Sequence, residues 1–219
     1  MENLKQTFII AGIAFIILTG GTLLAYNHAK GRTGTLVFPG GITYLGPTPT
    51  QPQSSEHRAQ SNKIPVATDA KWNIQKGKNF PYEFSYPSTL SLGVFPGDPF
   101  DSVTIFWGNT NPQENLLLRV EDLTKMPDMK QYINKSKKEY AQIWWKQYGW
   151  KGISDVSEFT NNKGLKGYRA KYVDSSGNIP YDNIFFVVSG RDNLVIWLTG
   201  KLLEPQVFDK IVDSVSWSR

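Results

Sequence analysis

The stretch that most constrains this chain is Thr7 to Tyr26, TFIIAGIAFIILTGGTLLAY, twenty consecutive residues without a charge. At 1.5 Å rise per residue a helix of that length is about 30 Å long, the thickness of a bilayer core. The segment is apolar all round and carries no stripe, so a buried helix of a soluble domain is a poor reading. It exceeds the usual apolar region of a secretory leader, and no small-residue cleavage site follows it. A pilin-type start would need a Glu early in the run, and none is there. The expectation is an uncleaved transmembrane helix at 7–26, preceded by a short tail at 1–6. It makes the protein single-pass and its location the cell membrane.

Orientation draws on two opposing signals. Lys30 and Arg32 follow the segment and only Lys5 precedes it, which by the positive-inside rule favours a cytoplasmic C-terminal part. The short N-terminal tail and the Thr/Pro/Gln-rich linker favour export. The expectation is an extracytoplasmic domain.

Residues 27–71 read as a stalk. Within 34–46, the β-prone runs Leu36–Phe38 and Ile42–Leu45 flank Pro39-Gly40-Gly41, a turn signal that suggests a small hairpin. Such a hairpin is marginal alone in water. Packing on the domain, lying at the membrane surface and serving as linker are all open to it. From 47 to 68, four prolines among Thr, Gln and Ser form a semi-extended spacer. At about 3.1 Å per residue it reaches on the order of 60–70 Å.

The net positive charge is weighted toward the part before the folded domain. Up to Trp72 there are six Lys/Arg against three Asp/Glu, while from Asn73 onward there are 18 against 16. The near-balance beyond Asn73 lacks the concentrated basic patch expected of a nucleic-acid reader. The expected partners are the membrane, through Thr7–Tyr26, and a protein of the envelope. Cys is absent, so disulfides, thiolate metal sites, Cys nucleophiles and a lipidated Cys anchor are all excluded.

From 72 to 219 the pattern is that of one globular domain. Short strands are expected at Tyr82–Tyr86, Leu90–Phe95, Ser102–Trp107 and Asn115–Glu121, separated by Pro/Gly turns. A helix is expected from about Asp128 to Tyr148, on the spacing of Met129, Ile133, Tyr140, Ile143 and Trp144, with Gly149 as its stop. Four strands follow, Ile153–Thr160, Leu165–Val173, Tyr181–Val188 and Leu194–Thr199, joined by tight loops that make the sheet antiparallel. The last two are continuously apolar, as strands covered on both faces are. A final helix starts at Pro205 and buries Val207, Phe208, Ile211 and Val212. The fold class expected is α+β: an α/β/α sandwich with an antiparallel central sheet and helices on both faces.

This order resembles the PsbP-like fold, the group that holds the extrinsic protein of the photosystem II oxygen-evolving complex, its relatives and a Ran-binding nuclear transport factor. The residues that carry the resemblance are Phe84-Ser85-Tyr86-Pro87-Ser88, the aromatic meander Tyr181 to Trp197, and the closing Phe208 to Val215. It covers about Trp72 to Arg219. The resemblance implies a non-enzymatic binding or assembly module, and a photosystem role only in a photosynthetic source. The membrane segment departs from the soluble lumenal members.

The chemistry available to the domain is narrow. The two histidines, His28 and His57, lie in the stalk, so Ser-His-Asp or Cys-His catalysis and ordinary zinc sites have no ligands from 72 onward. No nucleotide-binding glycine pattern precedes a helix. The expectation is no enzyme, no catalytic residues and no cofactor. Asp98 and Asp101, in one Pro/Gly loop, are the weak candidates for calcium. The alternative to a non-catalytic module is a carboxylate enzyme acting on cell-wall glycan, which needs two Asp/Glu side chains across a cleft. Trp144, Trp145, Tyr148 and Trp150 form the candidate contact surface; adjacent helical residues lie about 100° apart, so Trp144 and Trp145 cannot both face the sheet.

Overall fold

The structure, a computed structural model, describes residues 43–45, 63–67, 69–106 and 115–218. The expected membrane helix, the first arm of the expected hairpin and most of the spacer lie outside the described residues. Among the described residues no helix is long and apolar enough to cross a membrane.

The domain is mixed α/β, mostly antiparallel sheet with few helices. Its strands are β1 (Thr43–Leu45), β2 (Trp72–Lys76), β3 (Tyr82–Pro87), β4 (Leu92–Val94), β5 (Val103–Ile105), β6 (Leu116–Asp122), β7 (Gly152–Thr160), β8 (Lys166–Val173), β9 (Asp182–Val187), β10 (Leu194–Thr199) and β11 (Ser216–Trp217). Its helices are α1 (Lys137–Ile143) and α2 (Pro205–Ser214), with 3-10 turns at Leu123–Lys125, Pro127–Tyr132 and Trp144–Tyr148. Eight strands form one sheet in the order β1-β4-β5-β6-β10-β9-β8-β7. It is two antiparallel meanders, β4-β5-β6 and β7-β8-β9-β10, joined where β6 pairs with β10.

The expected strand Tyr82–Tyr86 is present as β3. That strand is not in the large sheet but at the centre of a second, three-stranded one, β11-β3-β2. Its alternation explains why: Tyr82, Phe84 and Tyr86 are buried, while Glu83 and Ser85 pair outward with Lys76 and Ile74 of β2. One face is thereby freed to pack on the large sheet. The second arm of the expected hairpin is β1, which pairs with β4 at the sheet edge. The end of the spacer is also tied down. Ile64 is buried and bridges Leu203, and Lys63 Nζ donates to the Gly200 and Lys201 carbonyls.

Both faces of β9 and β10 are covered, as their unbroken apolar runs require. Ile184, Phe186, Ile196 and Leu198 join a core with the three-stranded sheet and with Phe208, Ile211 and Val212 of α2. Phe185, Val195 and Trp197 join the opposite core with Tyr140, Ala141 and Trp144. Helix α2 is locked in place by Arg169, which pairs with Asp182 and Asp209 at 2.6 Å each. Asn161 secures its C-terminus, donating from Nδ2 to the Val212 and Val215 carbonyls.

The expected continuous helix over 128–148 is broken. Pro127 opens a 3-10 turn, and Ser136 stands in extended backbone as the N-cap of α1, accepting from the Glu139 amide. Ser136-Lys137-Lys138-Glu139 thus has the capping-box sequence with its Ser half formed, a helix-start signal that outweighs the apolar spacing running through it. Lys137 folds back and donates to the carbonyls of Tyr132, Ile133 and Lys135. The last turn tightens to 3-10 and ends at Gly149 in the left-handed conformation, φ 69°.

Candidate functional site: the aromatic end and its buried acid

Strand β6 places Arg119 and Glu121 on the face that α1 covers. Directly opposite on β10 lie Trp197 and Val195. Helix α1 and the following turn bring Tyr140 and Trp144 down onto Glu121. The Tyr140 hydroxyl donates to Glu121 Oε2 at 2.7 Å, and Trp144 Nε1 lies 3.2 Å from both carboxyl oxygens. Glu121 is fully enclosed. Burial pushes its carboxyl above the usual range, opposed by the nearby Arg119 charge and by the two donors. Burial, reinforced by Glu121, likewise raises the Tyr140 phenol well above its ordinary value. An acid with no exposed surface cannot meet a substrate; its role is to hold α1 and the following turn on the sheet.

Around this acid the rings interlock. Trp144 stacks on Tyr148 at 4.3 Å and on Tyr172 at 5.5 Å, and tilts against Trp197 at 4.8 Å. Tyr172 in turn meets Trp150 edge-on at 5.9 Å, and Trp150 meets Tyr181 at 5.5 Å. Burial and Asp174 push the Tyr181 phenol up to about 12.

The structure therefore divides the four aromatic candidates. Trp144 is only 2% exposed and is a core residue, a correction to its place in the expected contact surface. Its side chain points down because the face it shares with Tyr140 is the one that covers Glu121. Tyr148 is 44% exposed, and Trp145 and Trp150 are half-buried. Trp145 donates from Nε1 to the Gln142 carbonyl, and Lys146 Nζ lies 5.8 Å from its ring centre. Ile179, 45% exposed, flanks Tyr181 in sequence. Tyr148 and Trp150 are brought together through Trp144 and Tyr172. Trp145, among the described residues, makes no ring–ring contact with them.

Asp98 and Asp101 do lie in one loop, but their carboxylates serve the chain itself. Asp101 accepts from the Asn79 and Phe80 amides at 2.7 and 2.9 Å and from Asn79 Nδ2 at 2.7 Å. Asp98 accepts from the Phe100 and Ser102 amides. A cation would have to displace these N–H donors. Asp101 stands at φ 48°, held there by its own contacts. Among the described residues no group of three or more His, Cys, Asp or Glu could hold a metal ion. A pocket of about 220 Å³ adjoins this loop, lined in part by Tyr82, Val94 and Ser102.

Sequence reasoning missed Glu121 and Arg119. The available signal was two opposite charges at i and i+2, Arg119 and Glu121, following the apolar run Leu116–Leu118 of the same strand. No protein-family model, no curated protein and no solved structure matches this chain.

Proposed function

We propose that this protein is a single-pass, membrane-anchored, non-catalytic binding or assembly module whose domain stands on the extracytoplasmic side. The uncharged run Thr7–Tyr26 supports the anchor. The absence of His and Cys from 72 to 219 supports a role without Ser-His-Asp, Cys-His or zinc catalysis. On this reading the fold is a PsbP-like α/β/α arrangement, with α1 and α2 on opposite faces of the large sheet.

The observation that carries the binding role is the aromatic end. Tyr148 and Trp150 present ring surface to solvent while resting on Trp144 and Tyr172, which donate hydrogen bonds to Glu121 and to the Ala141 carbonyl. A rigid aromatic surface loses little side-chain freedom on binding, which is why such residues are enriched in contact interfaces. Lys146 and Lys151 beside them favour a partner with negative charge.

The test is topology. The full chain with a C-terminal tag is expressed, and protease is added to intact spheroplasts. Digestion of the domain supports the extracytoplasmic placement and makes envelope fractions the next bait. Protection until lysis overturns it, and the positive charges of Lys30 and Arg32 then gave the better guide.

A further inference from the structure

The second sheet, β11-β3-β2, ends on β2. The Gly77 amide donates to the Tyr82 carbonyl at 2.9 Å, and the Ser88 amide to the Lys71 carbonyl at 2.7 Å. These two bonds bracket the strand and set its phase. Hydrogen-bonded pairs alternate along an antiparallel ladder, so Asn73 and Gln75 turn their backbone groups to Tyr86 and Phe84. The N–H and C=O groups of Trp72, Ile74 and Lys76 point the other way. Among the described residues only the Lys76 carbonyl of this outward set has a partner, Nε2 of the neighbouring Gln75. Ile74, at the middle of the edge, is 62% exposed.

A cavity lies on the core side of this edge. Gln75 stands opposite the buried Phe84, so a residue placed beside Gln75 on the outer side of β2 points to the same face. Gln75 and Tyr82 line the pocket of about 220 Å³ from this sheet, and Val94 and Phe95 line it from the end of β4. An apolar cavity of about 150 Å³ holds benzene, so this one has room for a single Phe, Leu or Ile side chain. Its shape is held by two loops. Lys78 Nζ donates to the Pro96 carbonyl at 2.9 Å, and Asp101 accepts from the Asn79 and Phe80 amides.

The edge is also basic. Lys71, Lys76 and Lys78 end or flank β2, and no Asp or Glu occurs from 70 to 82. Among the described residues only Lys76 of the three pairs with an acid, Glu83 at 3.6 Å, and both partners are exposed. A second copy of the chain would set these lysines against their own kind, which disfavours self-pairing. The spacer from 46 to 62 offers no large apolar residue, and Pro47, Pro49 and Pro52 cannot donate to a ladder. We propose that the outer edge of β2 takes an extended segment of a partner protein as an added strand, with one large apolar side chain in the cavity and acidic residues beside the lysines. Backbone bonds supply affinity in such pairing, and the side-chain pocket supplies selection. The edge belongs to the core that α2 shares and the aromatic end to the opposite one, so failure here leaves the aromatic-end reading standing.

The probe is the labelled peptide Glu-Thr-Val-Phe-Val-Thr-Asp, added to the full chain in detergent micelles with micelles alone as blank. Fluorescence anisotropy follows binding, and hydrogen–deuterium exchange follows the amides of 72–76. The expected result is saturable binding with exchange slowed at that strand. Replacing the peptide's Phe by Ala weakens binding about tenfold or more, and N-methylating its backbone abolishes it. Ile74→Pro removes an outward N–H that β3 does not use, so it weakens binding about tenfold while Tm stays near that of wild type. Lys78→Glu weakens binding about threefold, an effect that shrinks as salt rises. Absence of saturable binding overturns the proposal. An N-methylated peptide that binds like its parent also overturns it, and decides the case in which the Pro variant does not fold. Slow exchange at 72–76 before peptide is added overturns it too, since a second copy or another segment of the chain then covers the edge.

Discussion

Truncating Glu121 to Ala removes the acceptor of two buried donors at once. The Tyr140 hydroxyl and Trp144 Nε1 both end on this carboxyl, in a site with no solvent exposure. Each orphaned donor costs about 1–3 kcal/mol, and the void left by the side chain adds on the order of 1–2 kcal/mol. The expected loss is roughly 3–8 kcal/mol, a large part of the ~5–15 kcal/mol of a typical domain. At ~2–4 °C per kcal/mol for a domain of this size, Tm falls by about 6–30 °C. Glu121→Gln keeps an acceptor for Tyr140 but sets an NH₂ group near Trp144 Nε1, so it loses only about 1 kcal/mol. The assay is urea and thermal unfolding of both variants, followed by tryptophan fluorescence. Equal losses for Ala and Gln, or an Ala loss below about 1.5 kcal/mol, would refute the claim that this acid holds α1 to the sheet.

The same acid sets a pH dependence. Its folded-state carboxyl is raised, chiefly by burial. Its contribution is therefore fully present below the ordinary Glu range, near pH ~4.3, and is lost as pH rises through the folded value. Wild type should lose stability relative to Glu121→Gln as pH rises above the ordinary Glu range; a gap that stays constant as pH rises would contradict the assignment. Trp144→Ala should cost about 3–5 kcal/mol, whereas Trp145→Ala should cost less than about 1 kcal/mol while weakening partner capture; chemical denaturation separates the two. Asn161→Ala removes two bonds to the end of α2 and two to the Lys163 and Leu165 amides, an expected loss of about 2–4 kcal/mol. Asp101→Ala should destabilise by about 2–3 kcal/mol because three N–H donors lose their acceptor. Millimolar calcium should leave the wild-type Tm unchanged; a rise would mean that a cation can displace those donors.

Much of the fold was legible because its signals are local. The meander from Gly152 to Thr199 follows from apolar strands punctuated by turn residues, such as Asn161 to Gly164, where Gly164 takes φ 80°. Pro205 marks the start of α2, and its stripe of Phe208, Ile211 and Val212 is buried as the spacing requires. Gly149 stops the preceding turn for the same local reason. The capping box at Ser136 was equally local, but the apolar spacing that runs through it carried the sequence reading past the break.

What only tertiary structure decided is which surfaces meet. Nothing in Tyr82–Pro87 says which sheet it joins, because period-2 alternation records that one face is buried and not what buries it. The two tryptophans at 144 and 145 are equivalent in composition. Only the position of Glu121, 23 residues earlier, makes one a core hydrogen-bond donor and leaves the other at the surface. Asp98 and Asp101 read as oxygen ligands until the amides of Asn79 and Phe80 arrive from elsewhere in the chain to occupy Asp101. Arg119, Asn183 and Thr199 are scattered over eighty residues and share no motif. The register of β6 and β9 against β10 sets Arg119 opposite Trp197 and Asn183 opposite Thr199 on one face of the sheet. Sequence fixes propensity and pattern, which act over a few residues. Strand register and helix docking, which act across the whole domain, decide where a charge is buried and which donors meet it.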